Sequence, residues 1–105
     1  MAQAVTYNPE RLAEIGKLYS GGHRPNSDGA MCAMEAVAYI AGESWSDHPK
    51  CACPVIATFM RSWNDALPDD QRNALLLPVV PRLVGTKGSK ALAAARYAIR
   101  NEENV

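Results

Sequence analysis

The chain has 105 residues, and its 11 basic and 11 acidic side chains cancel to a net charge of zero. That length predicts one domain, 1–105, with a modest core, and the zero balance excludes a polybasic protein held on DNA by bulk electrostatics. With 48% apolar and 21% charged residues, the composition also lies outside the disordered class.

The pattern along the chain is that of helices separated by Gly/Pro loops, with little strand-like alternation. A first helix is predicted after Asn8, a good N-cap, with Pro9 at the first helical position and Leu12, Ile15, Leu18 and Tyr19 on one stripe. Ser20-Gly21-Gly22 ends it, and a polar loop runs from His23 to Gly29. The second helix, Ala30 to Ala41, is apolar on nearly every side, with Glu35 its only charge, and so is expected in the middle of the fold. Gly42 suits its C-terminal cap. A second polar loop spans Glu43 to Cys53.

The third helix begins at Pro54. Val55, Ile56, Phe59, Met60, Trp63 and Leu67 share one arc at ~100° per residue, with Thr58, Arg61, Asn64 and Asp65 opposite. Pro68-Asp69-Asp70 starts a fourth helix, its aspartates complementing the first-turn dipole. Pro78 and Pro81 each remove a backbone donor, which predicts a kink or restart at Pro78 and a stop at Gly85. A last helix is predicted from Ser89 to Asn101, where the Ala-rich run has high helical propensity. The expected fold is all-α, a compact bundle of about five short helices with polar loops between helices 1–2 and 2–3.

No apolar run reaches the ~18 residues of a membrane helix, so no membrane partner is expected, and the first residues lack the apolar core of a signal peptide. The three cysteines, an odd count, fit a disulfide framework poorly and point to a reducing, cytoplasmic compartment. The zero net charge hides an asymmetry. Residues 1–70 hold nine acids and five bases, whereas residues 71–105 hold six bases and two acids. The two parts could segregate, neutralise each other across the core, or do so between copies in a homo-oligomer.

Residues able to do chemistry concentrate between His23 and Cys53. His23, Cys32, His48 and Cys51 are the ligand types of a tetrahedral Zn²⁺ site, with Glu35 or Asp47 behind them, and a metal staple would add folding energy to a small core. The competing explanation makes Cys32 a small buried hydrophobe and the histidines loop caps. Paired C-x-x-C knuckles are absent. Glu35, as a buried carboxylate, is then expected to accept hydrogen bonds from a nearby loop or to pair with an arginine. A Cys/His enzyme centred on Cys51 or Cys53 is a further alternative, Cys53 standing just before a helix N-terminus. In the basic C-terminal third, Arg82, Lys87, Lys90, Arg96 and Arg100 are candidates for anion or nucleic-acid binding. Tyr97 is the sole aromatic there, so base stacking has little support.

The runs Met31-Cys32-Ala33-Met34-Glu35-Ala36-Val37-Ala38-Tyr39-Ile40-Ala41-Gly42-Glu43, Ser46-Asp47-His48-Pro49-Lys50-Cys51, Arg61-Ser62-Trp63-Asn64-Asp65 and Pro81-Arg82-Leu83-Val84-Gly85-Thr86 together resemble a small family of uncharacterised proteins of actinobacteria and their bacteriophages. The resemblance covers roughly residues 20 to 92. It implies that Cys32, Glu35, His48 and Cys51 are shared positions, and it favours Cys51 over Cys53 as a metal ligand. It further implies a phage or mobile-element setting, in which a small accessory protein binds and modulates a host protein. That non-enzymatic role is the leading expectation, ahead of a nucleic-acid-binding regulator and a Cys/His enzyme.

Overall fold

The computed structural model describes residues 6–25 and 29–87. Among them are five helices and no strand: α1 (Pro9–Glu14), α2 (Ala33–Ala41), α3 (Pro54–Ala66), α4 (Asp69–Leu76) and α5 (Val80–Leu83). The expected all-α bundle of short helices is therefore what forms. The helix predicted over Ser89–Asn101 lies outside the described residues.

Helix α2 is the axis of the packing, with α1, α3 and α5 against it. All of its residues except Tyr39 and Ala41 are buried, as expected for a helix apolar on every side. Leu18, Met34, Val37, Ile40, Leu76 and Val80 are the largest fully buried apolar side chains around it. Each removes the greater part of its apolar surface from water, contributing about 1.5–3 kcal/mol before conformational entropy is subtracted. Gly42 closes the helix in the left-handed conformation at φ 76°, its N–H reaching the Ala38 and Tyr39 carbonyls.

Helix α1 is shorter than expected. Asn8 caps it through Oδ1, which accepts the Glu10 and Arg11 N–H groups, but the backbone turns extended at Ile15 (φ −79°, ψ 107°). Gly16, poor in helix interiors, follows at once. Leu18 is then buried from an extended segment rather than from a helical stripe. Asn73 of α4 replaces the lost helical partners: its Oδ1 accepts the Leu18 N–H at 2.6 Å and its Nδ2 donates to the Gly16 carbonyl at 2.8 Å.

Helix α2 starts later than Ala30. Cys32 is its N-cap, Sγ accepting the Glu35 N–H while the Glu35 carboxylate accepts the Cys32 N–H, a capping box built on a thiol.

Helix α3 sets most of its expected arc on the core, with Met60 buried and Ile56, Trp63 and Leu67 packed beside it, but tilts Val55 and Phe59 outside. The buried residues are Ala57, Met60 and Asn64, while Phe59 is 45% exposed. The small Ala57 lets α3 approach, and Asn64 is drawn inward because two backbone groups need it. Its Oδ1 accepts the Ala33 N–H at 3.0 Å and its Nδ2 donates to the Tyr19 carbonyl at 2.9 Å. Two unmet buried backbone groups outweigh the greater apolar content of the Val55–Phe59 side.

The α3–α4 corner is clasped by Arg72, a buried guanidinium that donates to the Asn64 and Leu67 carbonyls and pairs with Asp69. These carbonyls belong to the last turn of α3, where helical partners run out. After α4 the chain turns at Leu77–Val79 and restarts as α5, the predicted interruption at Pro78. Gly85, at φ 83°, follows α5.

Candidate functional site

The polar side chains between His23 and Cys53 are organised by two glutamates. Glu35, 2% exposed, projects from the first turn of α2. Its Oε1 accepts from the Cys32 N–H at 2.8 Å and from His23 Nδ1 at 2.9 Å; its Oε2 accepts the His23 N–H at 2.6 Å. Three donors satisfy a carboxylate that would be costly to bury alone. The partner is thus a loop and its histidine rather than an arginine. His23 is held further by Trp45, whose indole Nε1 donates to the His23 carbonyl at 2.6 Å, and by the Tyr19 ring edge at 5.9 Å. Asp47 joins His23 and Glu35 around a shallow depression of about 360 Å³.

Glu43 orders the second loop in the same way. Its two oxygens accept the Lys50 and Cys51 N–H groups at 2.6 and 2.8 Å. Burial alone pushes its carboxyl upward, yet the Cys51 thiol, those two N–H groups and the Lys50 charge outweigh it and hold it below the usual value. Burial first, and then the Glu43 carboxylate, push the Cys51 thiol up to about 11. Cys32 is pushed up to about 12, mainly by burial. Both thiols are protonated at neutral pH, opposite to the thiolate that a cysteine nucleophile requires.

Of the six residues expected at a metal centre, the fold brings His23, Cys32 and Glu35 together and places His48 on Asp47, Nδ1 to Oδ1 at 2.6 Å. Cys51 stands apart on Glu43. Among the described residues no three His, Cys, Asp or Glu side chains are grouped as ligands of one ion. Cys53 is buried, its N–H bonded to Thr86 Oγ1 at 2.8 Å.

Of the basic candidates, Arg82 and Lys87 are exposed. Lys87 is anchored by its N–H to the Cys51 carbonyl at 3.0 Å, so the first of the basic third's lysines lies against the loop from the acidic part. Lys90, Arg96 and Arg100 lie outside the described residues.

Several contributors escape the sequence reading. Glu43 enters the sequence pattern only as a loop boundary, although a carboxylate at the start of a loop can fold back on that loop's N–H groups, here as far as Cys51. Arg61, set on the polar arc of α3, is half-buried and donates to the Asp47 carbonyl at 3.0 Å. No spacing rule reports that contact. The outer side of α3 carries Val55 and Phe59, the latter tilted against Trp63 at 5.9 Å. With Pro54 and Thr58 these two line an open hollow of about 520 Å³. Among the described residues no helix is long and apolar enough to cross a membrane.

No family model, curated protein or solved structure matches the chain.

Proposed function

We propose that this chain is a non-enzymatic binding module that docks on a protein partner through the outer face of α3. The observation that carries the reading is the exposed apolar edge of that helix. The core contact of α3 is made by Ala57, Met60 and Asn64 with Ile56, Trp63 and Leu67 beside them, which leaves Val55 and the 45%-exposed Phe59 beside an open apolar hollow. A large aromatic in an exposed hollow, flanked by a second aromatic, is the composition of an interface centre. The protonated Cys32 and Cys51 thiols favour binding over cysteine catalysis. The resemblance to phage proteins makes a host protein the expected partner.

The test is capture from lysate of an actinobacterial host with the wild-type chain and with Phe59→Asp, alongside sedimentation of both. A stoichiometric partner retained by wild type and lost by Phe59→Asp, with melting temperature unchanged, supports the reading. Equal capture by both rejects this face. A dimer that Phe59→Asp dissociates makes the partner a second copy of the chain.

A further inference from the structure

Beside the first turns of α3 lies a cavity of about 240 Å³ whose charged lining is wholly cationic, Lys50, Arg61 and Lys87, with His48 among its polar residues. The rest of the lining is alanine, proline and one threonine, and no carboxylate is among the residues that form it. Like charges gathered around one cavity repel, and within a part-buried space that cost is larger than on open surface. The nearest acids, Glu43 and Asp47, stand outside that lining. Glu43 accepts the Lys50 and Cys51 N–H groups and also feels the Lys50 charge, and Asp47 bonds His48. Lys50, Arg61 and Lys87 form no ion pair with any described residue.

The cations are also positioned. The Arg61 guanidinium donates from Nη1 to the Asp47 carbonyl at 3.0 Å and from Nη2 to Thr58 Oγ1 at 3.2 Å, which fixes its plane. The lysines are anchored by their backbones, Lys50 on Glu43 and Lys87 on the Cys51 carbonyl. His48 Nδ1 is engaged by Asp47, which leaves Nε2 for another partner. Three separate stretches of chain, the loop before α3, α3 itself and the segment after α5, thus bring basic residues to the lining of one cavity.

We propose that this cavity binds a small organic oxyanion. A phosphate or carboxylate group is held by Lys50, Arg61 and Lys87, and a short apolar body rests on the alanine and proline floor. The volume falls below the ~300–1,000 Å³ typical of drug-sized ligands, which limits that body to a few carbons or one ring. No aromatic side chain lines the cavity, so a nucleic-acid base has no stacking platform there. The cavity adjoins the Val55–Phe59 hollow through Pro54 and Thr58, but the proposal does not rest on a partner docking there.

The experiment is an amide-resolved NMR titration of the full chain with phenyl phosphate, benzoate, inorganic phosphate and phenol. Saturable shifts centred on Ala52, Thr58 and Lys87 with phenyl phosphate or benzoate, and none with phenol, are expected. Whichever of the two anions binds more tightly identifies the head group. Lys50→Gln and Lys87→Gln, both at exposed positions, are each expected to weaken binding by about five-fold while leaving the remaining spectrum in place. Absence of saturation at ~10 mM of either organic anion overturns the proposal. So do shifts that neither lysine variant reduces, and so does displacement of phenyl phosphate by a short single-stranded oligonucleotide that binds more tightly.

Discussion

The side-chain carbonyl of Asn64, on α3, accepts the backbone N–H of Ala33, the first residue of α2, at 3.0 Å. The amide nitrogen of the same fully buried side chain donates to the Tyr19 carbonyl. One residue therefore joins the extended 15–20 segment, α2 and α3. Asn64→Ala strands an N–H and a carbonyl in the interior and is expected to cost about 2–4 kcal/mol. Urea denaturation checks this; a loss below about 1 kcal/mol would mean that water restores both bonds.

Glu35→Gln keeps the size of the side chain but turns one accepting oxygen into a donor facing another donor. His23 N–H or its ring nitrogen then loses its partner. A destabilisation of about 1–3 kcal/mol is expected. Because Trp45 bonds the His23 carbonyl, Trp45 emission in a Trp63→Phe background is expected to shift to the red as this loop loosens. An unshifted spectrum would separate the His23 loop from Glu35.

The thiols predict an alkaline limit. In the unfolded chain Cys51 ionises near the ordinary 9.0, and in the fold, buried against Glu43, near about 11. Cys32 moves the same way, to about 12. The fold favours the neutral form, so this stabilisation is complete below the unfolded value and is lost as pH rises through the folded ones. Urea midpoints are expected to fall from about pH 9 upward, and the double variant Cys32→Ser/Cys51→Ser to flatten that fall. An unchanged slope in the double variant would assign it to other groups.

Two glycines with open space around them separate backbone strain from crowding. A Cβ on Gly42 or on Gly16 meets nothing within 4 Å, yet Gly42 alone of the pair lies at positive φ, 76°. Gly42→Ala is expected to cost about 1 kcal/mol, and Gly16→Ala to be neutral or slightly stabilising through the unfolded chain. Thermal melts of the two variants decide it, with equal losses counting against the conformational explanation.

Helix order, the Asn8 cap, the Gly42 stop and the interruption at Pro78 were legible because each depends on a residue's own backbone chemistry and its near neighbours. The burial of α2 was legible from its lack of charge. The end of α1 and the facing of α3 were not, for a common reason. Both are decided by an asparagine serving distant backbone groups, Asn73 for Gly16 and Leu18, and Asn64 for Tyr19 and Ala33. A hydrophobic arc ranks faces by apolar content and assigns no weight to such debts. Likewise, the residue types around His23 suggested metal chemistry, while their pairing into His23–Glu35, His48–Asp47 and Cys51–Glu43 depends on loop paths that spacing does not encode.

Arg72 gives the molecule an uneven response to its surroundings. The guanidinium that closes the α3–α4 corner keeps its charge at every pH a protein survives, its two carbonyl partners do not titrate, and among its partners the exposed Asp69 alone does. The 43–53 loop, by contrast, is built from a carboxylate and a thiol that gain or lose protons within reach of ordinary buffers. Acid and alkali therefore act on the same end. The loop that borders the cationic cavity responds to pH, while the backbone-held corner beyond α3 does not.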